Sequence, residues 1–213
     1  MAHPLWPLFD LRLRTARLEL RLPTDDDIVA LYRAAKDGIH DPDWQPFTVP
    51  WTDAPSPEFE RGFVLHYWRK RADWTVARWD LPFAVICDGV HVGVQEVHGH
   101  DFPRLHEVGT GSWLGQRFQG QGIGKEMRAA VLHFAFTGLG AQWARSQARA
   151  DNAGSIGVSR ALGYEDDGLE VAPRRDEVVF EQRLRLSRER WARFQTVDVE
   201  IEGLDTCRDL FGA

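Results

Sequence analysis

The chain has little cysteine and no long apolar run. Its two cysteines, Cys87 and Cys207, stand far apart among 213 residues. They provide neither a disulfide framework nor the paired spacing of a zinc site. No apolar stretch approaches the roughly 18–20 residues that would span a bilayer. The start, "MAHPLWPLFDLRLRT", lacks the basic-then-apolar order of a secretory signal, so the cytosol is the expected compartment. There is also no excess of positive charge. A net charge of −6 argues against non-specific binding to DNA or to an anionic membrane, and is compatible with amines. The basic stretch Arg183–Phe194 has acidic neighbours and reads as a solvated face.

What is present is an ordinary globular composition, 43% hydrophobic and 27% charged, long enough for one well-buried domain. An alternating run gives a strand near Leu18–Leu22. Thr24 and Asp27 make a capping box for a helix over about 26–36. A Pro- and Trp-rich loop follows, then Ser56 and Pro57 as cap and first position of a helix to about Arg71. Asp88-Gly89 between alternating runs predicts a tight hairpin. A strand is expected over about Val108–Leu114. A helix follows, with Ile123, Met127, Val131, Phe134 and Ala135 on one face. Further strands fall on "AQWARSQA" and "EVVFEQRLRL", with a short helix Ser155–Leu162 stopped by Gly163, and a last strand near 198–202. Antiparallel strands followed by strand–helix–strand units predict a mixed α/β sheet with helices on both faces.

The stretch "QGQGIGKEMRAAVLHF" opens at Gln119 with glycines at every second position. A dinucleotide fingerprint fails, because Lys125 or Met127 stands where its third glycine belongs. A P-loop fails as well, with Gln119 and Glu126 at its fixed positions. Gln119, Gly122 and Gly124 instead form Gln-x-x-Gly-x-Gly between strand and helix. Asn152, Gly163 and Tyr164 follow at a matching distance.

In these residues the chain resembles the GNAT superfamily of acyl-CoA-dependent N-acyltransferases, and its early "TARLELRLPTDDD" with the hairpin resembles the ribosomal-protein alanine acetyltransferase branch. "GSWLG" and "EMRAAVL" also resemble a bacterial subgroup with succinyl-CoA-binding members. The resemblance covers about Thr15 to Leu186 and implies a single GNAT domain over 1–213. Its core would be 15–186, with a tail, 187–213, at a subunit interface. It implies a mostly antiparallel mixed sheet whose two central strands splay apart. It also implies transfer of an acetyl or succinyl group from CoA to a primary amine by direct attack on the thioester. The acceptor is left open among a protein N-terminus, a lysine and a small amine.

The resemblance further implies that Gln119, Gly120, Gln121, Gly122, Ile123, Gly124 and Lys125 hold the pyrophosphate, where backbone N–H groups and a helix N-terminus converge. The backbone at Ser112, Trp113 and Leu114 would polarise the thioester, and Asn152 would bind the pantetheine. The family's usual acidic Tyr position is Ser159 here, so Ser155 is expected to protonate the thiolate. Its alternative role is a helix cap. For the base, Glu107 is expected, with Glu96, His98, His100 and His106 nearby. Gln95, Trp44, Trp51 and a nearby Arg are candidates for the acyl pocket. Neither cysteine has a visible base partner, and no metal is expected. A homodimer is expected, with "VDVEIEG" completing an intersubunit sheet. The alternatives are an acyl-CoA-binding sensor without catalysis and, less favoured by spacing, a nucleotide-binding enzyme.

Overall fold

The computed structural model describes residues 3–213. Nine strands form one sheet in the order β7-β8-β6-β5-β4-β3-β2-β1-β9. They are β1 (Arg12–Arg14), β2 (Leu18–Arg21), β3 (Arg78–Cys87), β4 (Val90–His100), β5 (Glu107–Leu114), β6 (Trp143–Arg149), β7 (Glu165–Arg174), β8 (Glu177–Ser187) and β9 (Glu200–Glu202). Only β5 and β6 run parallel; every other neighbouring pair is antiparallel. The helices are α1 (Asp25–Lys36), α2 (Glu58–Ala72), the short α3 (Phe102–Leu105), α4 (Ile123–His133), α5 (Ala153–Ala161) and the short α6 (Arg188–Trp191). None among the described residues is long and apolar enough to cross a membrane.

Local chemistry explains several boundaries. The Thr24 hydroxyl accepts from the Asp27 N–H at 3.2 Å, and the Asp27 carboxylate accepts from the Thr24 N–H at 2.8 Å. This is the expected capping box. The hairpin between β3 and β4 turns through Asp88 and Gly89, both at positive φ (49° and 79°), as a two-residue loop of this hand requires. The helix expected from Pro57 instead starts at Glu58, and Ser56 does not cap it. The Ser56 hydroxyl is bonded to the Glu60 carboxylate at 3.0 Å.

Two apolar layers flank the sheet. One lies beneath α4, where Ile123, Met127, Val131, Phe134 and Ala135 are all buried as the 3.6-residue period implies. The other lies beneath α1 and α2, with Ile28, Leu31, Phe63 and Tyr67 against Ala84 and Val94. The period of two along β4 alternates Val94 and Glu96 toward α1/α2 with Gln95 and Val97 toward α4.

The tail departs from expectation. The strand in "VDVEIEG" pairs with β1 of its own chain, Leu13 against Ile201. Leu204, Cys207 and Phe211 then plug the α4-side core. That strand therefore completes the chain's own sheet and is already paired on that side.

Candidate active site

The parallel pairing of β5 with β6 stops at Thr110–Ser146, while β4 and β5 stay paired out to Gly93–Leu114. Beyond Thr110 the sheet splays. Gly111–Leu114 therefore lacks a strand partner on its β6 side, and Gln147–Arg149 pairs only with β8. This cleft lies between the starts of α4 and α5.

At the α4 side of the cleft, five successive backbone N–H groups, Gly120 to Gly124, have no acceptor among the described residues. Gly120 (φ 72°) and Gly122 (φ 80°) adopt the left-handed conformation that only glycine reaches without strain. Together with the helix N-terminus they form a concave, exposed anion cradle. The Gln119 side chain does not point into it. It donates to the Ile39 carbonyl at 2.7 Å and the Leu114 carbonyl at 2.9 Å, tying the loop to the end of β5. The Gln121 side chain likewise bonds the Arg117 carbonyl at 2.8 Å. Lys125 is exposed at the first turn. Arg17, which the sequence reading did not single out, pairs with Glu126 at 2.5 Å beside the loop.

Across the cleft, Asn152 is the N-cap of α5, its Oδ1 accepting from the Ser155 N–H at 3.0 Å. Ser155 is therefore not the cap. Its hydroxyl makes no hydrogen bond among the described residues and is half-buried. Ser159 faces away: it is fully buried and its hydroxyl donates to the Ser155 carbonyl at 3.1 Å.

On the α1/α2 side the cleft opens into a cavity of about 870 Å³. Its walls are aromatic, with Phe47, Trp51, Phe59, Phe63, Tyr67 and the Trp113 side chain; the Trp51 and Trp113 rings are 6.1 Å apart. Its floor holds Lys70, Asp80 and Glu96 next to Gly111 and Ser112. Glu96 stands opposite Gly111 in the β4–β5 register, directly beside the splay. Lys70 Nζ lies 2.6 Å from Glu96 and 3.5 Å from Asp80. Burial opposes ionisation of Asp80, but Lys70 and His98 outweigh it and hold the carboxyl below its usual range. Burial pushes the His98 and His66 imidazoles down, against the pull of Glu96 and Asp80. The His98 ring lies over Gly109, where an added Cβ would come within 2.0 Å of Nε2.

The loop that follows α1 roofs this region, clamped by the β7–β8 hairpin and by the end of β6. Arg175 pairs with Asp53 at 2.7 Å, Arg174 donates to the Thr48 hydroxyl at 3.1 Å, and Arg149 donates to the Gln45 carbonyl at 3.3 Å. Arg174 and Glu181 form a buried ion pair under the clamp.

Several expected residues fall elsewhere. Glu107 is at the closed end of β5, opposite Trp143, and is paired with Arg145 at 2.7 Å and Arg185 at 3.1 Å. Five residues of strand place it roughly 17 Å from Ser112, too far to reach an amine there. Trp44 sits at the end of β6, its indole N–H 3.3 Å from Asp151, outside the cavity, whereas Trp51 lines it. Gln95 is fully buried on the α4 side, with both ends of its amide engaged, so it does not line the cavity. His106 and His100 are exposed, and neither lines the cavity. Burial and Asp88 push the Cys87 thiol up, and burial pushes Cys207 up to about 12, so neither is a ready nucleophile. Asp80, Glu96 and His98 lie close enough to share a metal ion, but the Lys70 ammonium already bonds both carboxylates.

Sequence reasoning also missed what lies under the splay. Arg128 of α4 is buried with no carboxylate partner among the described residues. It donates to Gln95 Oε1 (3.2 Å), Ser146 Oγ (3.1 Å) and Ser112 Oγ (3.0 Å). Tyr164 completes the group, its hydroxyl 3.3 Å from the Thr110 hydroxyl. In sequence, Arg128 reads as one more polar residue beside Met127; only the three acceptors on β4, β5 and β6 reveal it.

A mixed sheet splayed beside an N–H cradle at a helix start defines an acyltransferase-type fold, and the sequence comparison agrees. The acetyltransferase (GNAT) domain profile matches residues 17–165, so the chain belongs to the GNAT acetyltransferase family. Similar solved structures share the fold at low identity. Mycobacterium smegmatis RimJ, in complex with a CoA disulfide, is 19% identical with a TM-score of 0.68, covering 90% of this chain and 98% of that one. RimL, a ribosomal L7/L12 alpha-N-protein acetyltransferase solved with coenzyme A, is 19% identical with a TM-score of 0.63, covering 81% and 95%. A GNAT-family acetyltransferase from Bacillus anthracis is 18% identical with a TM-score of 0.65, covering 84% and 99%.

Proposed function

We propose that this protein transfers an acyl group from CoA to a primary amine entering from the α1/α2 side. The observation that carries this reading is the continuity of three features: the free N–H groups of Gly120–Gly124, the unpaired edge of Gly111–Leu114, and a cavity with Glu96 at its floor.

The pyrophosphate rests on the N–H cradle, with Lys125 adding a point charge. The pantetheine threads the splay, hydrogen-bonding Asn152 and the backbone of β5. The N–H groups of Ser112 and Leu114, which face away from β4 in this register, meet the thioester oxygen as it gains charge. An amine held against Glu96 gives up a proton to that carboxylate and attacks the carbonyl carbon. The C–N bond forms, the C–S bond breaks, and Ser155 passes its hydroxyl proton to the leaving thiolate while taking up the second proton from the acylated nitrogen. Glu96 replaces Glu107 in this role because it lies at the open end of the splay.

Arg128 bears on the choice between acetyl and succinyl donors. It is a buried cation with only neutral partners, separated from the cleft by the exposed Ser112 hydroxyl. A donor whose acyl chain ends in a carboxylate would supply the missing charge, so the succinyl donor is the favoured reading. The aromatic cavity walls fit an acceptor with an apolar body next to its amine, and two free thiols suit a reducing compartment.

Glu96→Gln tests the catalytic assignment. The expected result is a fall in kcat of roughly 10²-fold or more at saturating amine and fixed pH, with acyl-CoA affinity unchanged. Wild-type turnover by this variant would remove Glu96 from the mechanism.

A further inference from the structure

The cavity already contains an amine. Lys70 is one of only three lysines in the chain, with Lys36 and Lys125. Its side chain is only 15% exposed, and it reaches from α2 across the cavity to the sheet. Its Nζ sits 2.6 Å from Glu96 Oε1, in the same cavity that Gly111, Ser112 and Trp113 border. That is the contact an acceptor amine must make with its proton acceptor. The other two lysines have no such placement. Lys36 is exposed beside Tyr32 and Glu60, and Lys125 is exposed at the glycine loop.

We propose that Lys70 occupies the acceptor-amine position and is itself acylated when acyl-CoA is bound and no acceptor is present. This rests on the reading of Glu96 given above. The step balances within the site. The Lys70 ammonium passes one proton to Glu96, and the neutral amine attacks the thioester carbon. The new C–N bond replaces the C–S bond, and a second nitrogen proton ends on the departing thiolate. The products are an Nε-acyl-Lys70 and free CoA. The flexible four-carbon stem of lysine supplies the motion this requires.

Two consequences follow from the same contacts. An incoming acceptor must displace Lys70 from Glu96, and Asp80, 3.5 Å away, is the carboxylate that receives the displaced ammonium. Once acylated, Lys70 carries no charge, and Glu96 and Asp80 face each other without the cation between them. The acylated chain therefore has an altered acceptor site, so prolonged exposure to donor alone changes its response to amines.

The test is intact-protein mass spectrometry after incubation with acetyl-CoA and separately with succinyl-CoA, without acceptor, followed by peptide mapping over Lys36, Lys70 and Lys125. The expected result is one acyl group on Lys70. It should be absent in Lys70→Arg, slowed roughly a hundredfold in Glu96→Gln, and suppressed by an added amine substrate. Desulfo-CoA, which carries no acyl group, should also suppress it in the unaltered protein, which keeps the test independent of variant folding. An adduct spread over Lys36 and Lys125, or one insensitive to desulfo-CoA, is ordinary chemical acylation and overturns the proposal. So does an unmodified Lys70 in a protein that acylates free amines, while leaving the functional reading intact. Failure to bind either acyl-CoA by calorimetry overturns both.

Discussion

Removing the acceptor from a buried cation should hurt more than removing the cation. Arg128 donates to Gln95, Ser146 and Ser112, and no carboxylate offsets its charge. Burial accordingly pushes its guanidinium pKa down, with Tyr164 pulling the other way. In Arg128→Met the stranded Gln95 oxygen costs about 1–3 kcal/mol, while the serine hydroxyls can re-pair. Against this, the desolvation penalty of an unpaired ion, several kcal/mol, is lifted. The two nearly cancel, so a change of about 2 kcal/mol or less is expected. Gln95→Leu instead leaves the charge in place with one acceptor fewer and should cost about 3–5 kcal/mol. The double variant should recover much of that loss, giving a coupling energy of about 1–3 kcal/mol. Urea unfolding of the four proteins, with midpoint and slope both measured, reads these values. If Gln95→Leu is milder than Arg128→Met, or the two effects simply add, the picture of an uncompensated charge beneath the splay is wrong.

Three further outcomes follow. Gly122→Ala forces a Cβ into a left-handed φ of 80° where the nearest atom is Arg17 Nη2 at 3.7 Å, so backbone strain of about 1–2 kcal/mol dominates and CoA affinity should fall roughly tenfold by calorimetry. Gly109→Ala drives a methyl into the His98 ring, and should cost about 1–3 kcal/mol and shift the His98 imidazole NMR signals. Burial alone would raise the Asp27 carboxyl, but its bonds to Thr24, His91 and Arg21 hold it below the usual range. Its contribution is therefore complete above the unfolded pKa of about 3.9 and lost as pH falls through the lower native value. Asp27→Asn should be less stable near neutrality and show a flatter loss of stability in acid.

What the sequence made legible was local or periodic. The Thr24 box, the Asp88-Gly89 turn and the apolar face of α4 each depend on residues within a few positions of one another. β7 was missed because Glu165–Arg174 contains Gly168, Pro173 and three acids near its start, a composition poor in strand formers. As an edge strand with a register shift between Asp166 and Leu169, it tolerates them. The base shows a different limit. Glu96 and Glu107 both lie on central strands, and only the register reveals that pairing with β6 ends at Thr110. That places Glu107 at the closed end and Glu96 at the open one. Lys70 and Arg128 were invisible for the same reason: the partners that give them meaning lie 26 and 33 residues away, on β4.

The most direct test is a paired assay of the purified protein with acetyl-CoA or succinyl-CoA and a panel of apolar primary amines, following CoA thiol release and acylated product together. The account predicts amine-dependent CoA release matched one-to-one by N-acyl product, with the succinyl donor favoured and both signals lost together in Glu96→Gln. Tight acyl-CoA binding with no amine-dependent release from either donor would contradict it and leave an acyl-CoA-binding module in its place.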